Sequence, residues 1–139
     1  MQYIVIDTNV FVSGIFYGGT PRNVLDCVAD GRVIPCFTEA TYHELERVLT
    51  SEKFMLERNA LWFDVRRYLN WITSVSAISP RLFVAEIIKE DLADNEILAC
   101  ALSARASFIV SGDNHLLVLK SFGGIPIVTP KEFIDIIGA

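Results

Sequence analysis

Short apolar runs rich in β-branched residues recur along this 139-residue chain, and none of them alternates with polar residues. They fall at Gln2 to Ile6, at Val33 to Phe37, at Phe108 to Ser111 and in the "PIVTP" segment, with a further short candidate in "SVSAIS" ahead of Pro80. A strand buried on one face alternates apolar and polar residues. One that does not is covered on both faces, the condition of strands in a parallel sheet. The intervening segments carry the period of helices, so strands and helices alternate, and the expected architecture is α/β with helices on both sides of the sheet.

The helical segments have legible boundaries. In "GGTPRNVLDCVADGR", Thr20 can cap a helix, Pro21 suits its first position and Gly31 can close it. A helix over about 38–49 puts Tyr42, Leu45, Val48 and Leu49 on one face. An amphipathic stretch rich in Arg and aromatics reads as one helix over about 53–71. Further helices are expected over 91–106, with a small-residue face, and over 131–137. No linker or repeat divides the sequence, and its length suits one domain over 1–139.

Two of the apolar runs end on a carboxylate: "IVIDTN" reaches Asp7 and "FIVSGDN" reaches Asp113. In an open parallel sheet, ligands bind beyond the carboxyl ends of the strands, where strand order reverses. Neighbouring strands would therefore bring these two aspartates face to face. The plainer role is to cap the next helix. For Asp7 that role is weakened by Thr8 and Asn9, which are capable caps themselves. Asp94 falls on the helical stripe of Ile97, Leu98 and Ala101, a costly place for a charge without a partner or a metal. Its plainer role, as an acid favoured by the helix dipole, is one that Asp91 can fill a turn earlier. Glu44 and Glu46 both lie on the edge of the apolar face of their helix. Periodicity does not choose between them, and Thr41 with Glu44 also has capping-box spacing.

Carboxylates gathered in one cleft cannot all ionise unaided: two unit charges 4 Å apart repel by ~4 kcal/mol at an effective dielectric near 20. A hard divalent cation with oxygen ligands, Mg²⁺ or Mn²⁺, resolves the conflict. Zinc would call for grouped His or Cys. His43 and His115 stand alone and are left outside the metal shell, and Cys27, Cys36 and Cys100 are widely spaced in apolar surroundings with no CxxC pair. Reduced, buried thiols fit a cytoplasmic protein, as does an N-terminus with no basic region ahead of an apolar one. Apolar residues make up 52% of the chain, yet no run approaches the ~20 residues of a bilayer span, so no membrane role is expected. The excess can instead cover a subunit interface, most simply that of a homodimer. A net charge of −5 repels nucleic acid at long range, so any such function needs local basic residues or a bound cation.

The ordered set "VIDTNVFVSG", "TEATYHELERVL", "DLADNEILACAL" and "FIVSGDNHLL" resembles the PIN domain, the nuclease fold of toxin–antitoxin toxins and RNA-processing factors, and is closest to a subgroup regarded as toxin components. The resemblance spans essentially the whole chain. It implies a three-layer α/β/α fold around a five-stranded parallel sheet in the order 3-2-1-4-5. It puts the family's acidic set on Asp7, Glu44, Asp94 and Asp113, with Thr8, Asn9 and Ser111 as supporting polar residues. It further implies divalent-metal-dependent hydrolysis of single-stranded RNA to a 5′-phosphate and a 3′-hydroxyl. Asp7, Asp94 and Asp113 would hold Mg²⁺ or Mn²⁺, and Glu44 would orient the water or support the metal shell. RNA is then the substrate, with a cognate antitoxin as a further partner. Among Arg22, Arg47, Lys53, Arg66 and Arg67, none is singled out for the substrate, because Arg and Lys on amphipathic helices ordinarily form a solvated face. The aromatics of 62–71 are assigned to core or interface.

Two other chemistries fail on particular positions. An aspartyl-phosphate phosphatase needs an acid two residues after Asp7, where Asn9 stands, and another four residues after its Gly-Asp, where Leu117 stands. A receiver domain needs a lysine at a late strand end, and Pro126 to Thr129 has none. The alternative outside enzymes is a PIN-like scaffold that binds nucleic acid or protein without cutting.

Overall fold

Strand β1 (Gln2–Ile6) lies in the middle of the sheet, with β2 (Val33–Phe37) on one side and β4 (Phe108–Val110) on the other, both parallel to it. Beyond β2 runs β3 (Ala77–Ile78), and beyond β4 runs β6 (Ile125–Val128), again parallel. The computed structural model from which these elements are taken describes residues 2–81 and 92–138. The parallel strands keep the expected 3-2-1-4-5 order when counted along the chain. The sheet gains one edge strand, β5 (Ser121–Phe122), giving the order β3-β2-β1-β4-β6-β5 among the described residues. β5 is antiparallel to β6 and turns into it through Gly123 and Gly124, both at positive φ (57° and 80°). Two left-handed residues in succession are what a tight hairpin turn requires, and glycine supplies them without strain.

The pleat divides the core into two layers. Ile4 and Ile6 point to one face of β1 and Val5 to the other, and Val110 and Ile109 divide likewise on β4. On the first face pack α1 (Thr8–Phe16), α2 (Gly19–Ala29), α3 (Glu39–Leu49), α5 (Val65–Val75) and α8 (Pro130–Ile137), through residues such as Phe11, Val24, Leu45, Ile72 and Phe133. On the second lie α6 (Leu92–Ala104) and α7 (Asn114–Leu117), through Ile97, Leu98, Cys100 and Leu116. The result is a central sheet flanked by helices. α1 and α2 meet at Gly14, where a Cβ would lie 2.7 Å from Leu25 Cδ1 and 3.0 Å from the carbonyl carbon and oxygen of Pro21. Only a residue without a side chain permits that approach.

Several local expectations are corrected. α2 starts at Gly19, with Gly18 at its cap, rather than at Pro21 behind a Thr20 cap, because Gly18 and Gly19 take positive φ (79° and 69°) and turn the chain in earlier; Thr20 and Pro21 then fall inside the first turn. The single helix over 53–71 is broken. A 3₁₀ turn (Glu52–Phe54) leads into α4 (Met55–Ala60); Trp62 takes a positive φ of 53°, and Asp64 caps α5 by accepting the Arg67 amide at 3.1 Å. Phe63 in the break packs edge-on against Phe16 and tilts against Tyr68, so partly buried aromatic contacts at the core margin stabilise the interruption. Tyr68 and Trp71 join the core margin as expected, whereas Trp62 is 93% exposed. The capping box of α3 is formed by Thr38 and Thr41, not by Thr41 and Glu44. Asp91, considered as a cap for α6, lies outside the described residues.

Candidate active site

The reversal of strand order falls between β1 and β4, and the acids collect at the carboxyl ends of these two strands. Parallel pairing carries past Ile6 and Val110 into the site, since the Asp7 amide donates to the Val110 carbonyl at 2.9 Å and the Ser111 amide to the Val128 carbonyl at 2.9 Å. Asp7 follows directly on β1 and Ser111 on β4, so both side chains are fixed by sheet register rather than by a loop. A cleft of about 500 Å³ opens there, lined on its acidic side by Asp7, Glu44, Asp94, Glu96 and Asp113, with Thr8 and Asn9 beside them.

Ser111 connects the two strand-end aspartates. Its buried hydroxyl donates to Asp7 Oδ2 at 2.7 Å and accepts the Asp113 amide at 2.9 Å. One hydroxyl thus fixes the Asp7 carboxylate and the turn that presents Asp113. Asp7 occupies the N-cap position of α1, but its side chain makes no capping hydrogen bond there. It is buried, and the loss of water pushes its carboxyl pKa above the ordinary 3.8; the Asp113 charge raises it further, while the Ser111 hydroxyl and the nearby Asn9 and Thr8 amides act in the opposite direction.

Asp113 does act as a cap: Oδ1 accepts the His115 amide at 2.8 Å. The same side chain still lines the cleft, because α7 is a single turn and leaves the carboxylate at its mouth. Asp94 enters from the first turn of α6 and is buried, heading the stripe on which Ile97, Leu98 and Ala101 are also buried. Glu44 arrives from the middle of α3, half-buried. The choice between the two glutamates that periodicity left open is made by position: Glu44 lines the cleft, whereas exposed Glu46 faces His43. Glu44 is held by Arg47, whose Nε donates to Oε2 at 3.1 Å and whose Nη2 donates to Oε1 at 2.7 Å.

Two cleft residues, Glu96 and Arg47, and one neighbour of the cleft, His115, are not singled out by the sequence. Glu96 lies two positions after Asp94, on another side of the helix, and Arg81 holds it through both carboxylate oxygens at 2.9 and 2.8 Å. Arg47 reads as surface on a helical wheel. His115, set aside as a lone histidine, is brought to Asp94 and Asp113 by the turn of α7, and one ligand atom from each of the three lies within 4.8 Å of the others. Asp7 is not in that tightest group. Two carboxylates and an imidazole, with a third carboxylate pinned close by, form a donor set suited to a divalent cation with mainly oxygen ligands.

A family model described as PIN domain matches residues 3–115 of the chain, which takes in all four acidic positions. No curated protein sequence matches the chain.

Proposed function

The chain belongs to the PIN domain family, whose members are in general nucleases, and from that membership we propose that it is a divalent-metal-dependent endoribonuclease acting on single-stranded RNA. The observation that carries the reading is a single one: acids from β1, α3, α6 and the end of β4 line one cleft. Asp7, Asp94 and Asp113 would hold Mg²⁺ or Mn²⁺, with His115 within reach of the latter two. When bound, the cation polarises a phosphate oxygen and lowers the pKa of a water. Ser111 holds the Asp7 carboxylate in one rotamer, and its acceptance of the Asp113 amide keeps the two strand ends in step. The products are a 5′-phosphate and a 3′-hydroxyl. A toxin role with a cognate antitoxin, a cytoplasmic location and a homodimer belong to the same reading. No helix among the described residues is long and apolar enough to cross a membrane.

The test is cleavage of single-stranded and structured RNA in Mg²⁺ or Mn²⁺, beside Asp7→Asn and Asp94→Asn. The wild type is expected to cut single strands only with metal present, and both variants to fold and not cut. Melting temperature adds a check independent of turnover: a native-state ligand stabilises by about 2.7 kcal/mol at a hundredfold excess over Kd. A melting temperature unmoved by millimolar Mn²⁺ would instead favour the non-cutting scaffold.

A further inference from the structure

A cleft lined by five carboxylates must admit a polyanion, and among the described residues lining it Arg47 is the only Lys or Arg. Its fork is half used. The Nε–Nη2 edge is taken by Glu44, at 3.1 and 2.7 Å, while Nη1 makes no hydrogen bond among the described residues. The Arg47 side chain is 69% exposed and Glu44 is 29% exposed, so the pair runs from the cleft wall out to solvent. As a stabilising surface ion pair one turn apart on a helix it is worth little. As an orienting device it is well formed, because a carboxylate gripping one edge of a planar guanidinium fixes the direction of the other edge.

We propose that Arg47 is the phosphate-binding residue of this cleft and that Glu44 acts as a positioning residue, aiming the Nη1 edge of Arg47 at a backbone phosphate of the RNA. This rests on the nuclease reading above and adds to it: the Glu44 carboxylate that lines the cleft also fixes the direction of Arg47. Lysine at position 47 would keep the charge and lose the fork.

The experiment measures KM and kcat on single-stranded RNA with Mn²⁺, and the affinity of a labelled ten-nucleotide single-stranded RNA in Ca²⁺ across a salt series. The proteins are wild type, Arg47→Ala, Arg47→Lys, Glu44→Gln and the double variant Arg47→Ala with Glu44→Gln. Arg47→Ala is expected to weaken binding about tenfold or more and to lower the slope of log affinity against log salt by about 0.7, the loss of one single-strand phosphate contact. Arg47→Lys restores the slope but not the full affinity. Glu44→Gln raises KM, and combined with Arg47→Ala it raises KM no further, as two residues acting as one unit in binding require. The Mn²⁺-induced rise in melting temperature stays at the wild-type value in Arg47→Ala and Arg47→Lys, which separates the role of Arg47 from metal binding. An unchanged KM and salt slope in Arg47→Ala, with the wild type cutting normally, overturns the proposal and leaves the nuclease reading standing. So does an unchanged KM in Glu44→Gln. A wild type that neither binds nor cuts RNA removes the nuclease reading, and this proposal with it.

Discussion

Asp7 carries the conflict between folding and function at the scale of one residue. A buried acid whose pKa lies above its unfolded value favours the native state at low pH, and that contribution is lost as pH rises through the folded value, because the native state must then ionise a group it would keep protonated. At pH 7 without metal the charge is therefore a burden, and Asp7→Asn should melt higher than wild type in EDTA while losing both cleavage and most of the Mn²⁺-induced shift. Thermal melts in EDTA and in Mn²⁺ check both halves; a lower melting point in EDTA would mean that the charge stabilises the apo fold. Ser111→Ala should act in the other direction. It strips a hydrogen bond from a buried carboxylate and from the Asp113 amide together, at a cost of about 1–3 kcal/mol by chemical denaturation. The strand-end acids were legible because an apolar run ending on a charge is hard to explain by packing alone. Glu96 and the reach of His115 to the acids were not, nor was the choice of Arg47 among the five basic candidates, since these depend on the meeting of separate elements and not on spacing along any one of them.

At the scale of elements, legibility followed amphipathicity. The period of α3 is clear in its sequence, and Leu45 and Leu49 are buried with Tyr42 and Val48 at the margin, as read. α1 has no such period: Val10, Phe11, Val12 and Ile15 are all buried, so a helix covered nearly all round presents no polar face to read. The break between α4 and α5 was missed for a different reason. No Gly or Pro marks it, and the aromatic packing of Phe63 that holds it is a tertiary contact. The junction of α1 with α2 gives a direct test of the packing argument. Gly14→Ala should destabilise by about 1–3 kcal/mol, because the new methyl meets Pro21 backbone as well as the flexible Leu25 side chain. Urea unfolding reads this, and a neutral result would show that the two helices have room to part.

The molecule as a whole keeps its thiols away from solvent. Cys27, Cys36 and Cys100 are free and buried, and burial pushes the Cys36 thiol up to about 12 and the Cys100 thiol up to about 11. Both stay protonated at neutral pH and are poor nucleophiles. A maleimide at pH 7.5 should leave Cys36 and Cys100 untouched in the native protein and modify both in urea, as read by intact mass; rapid native labelling of either would mean that the second core layer opens. The sheet bears on association as well. Among the described residues its outermost strands, β3 and β5, each extend over only two residues. An unsatisfied row of amides and carbonyls that brief gives an incoming segment too little to zip onto, which disfavours fibril-like growth in a chain this rich in oily side chains. Copies of the molecule that come together are left to do so by matching their outer helices, with the hydrogen-bonded ladder closed to newcomers.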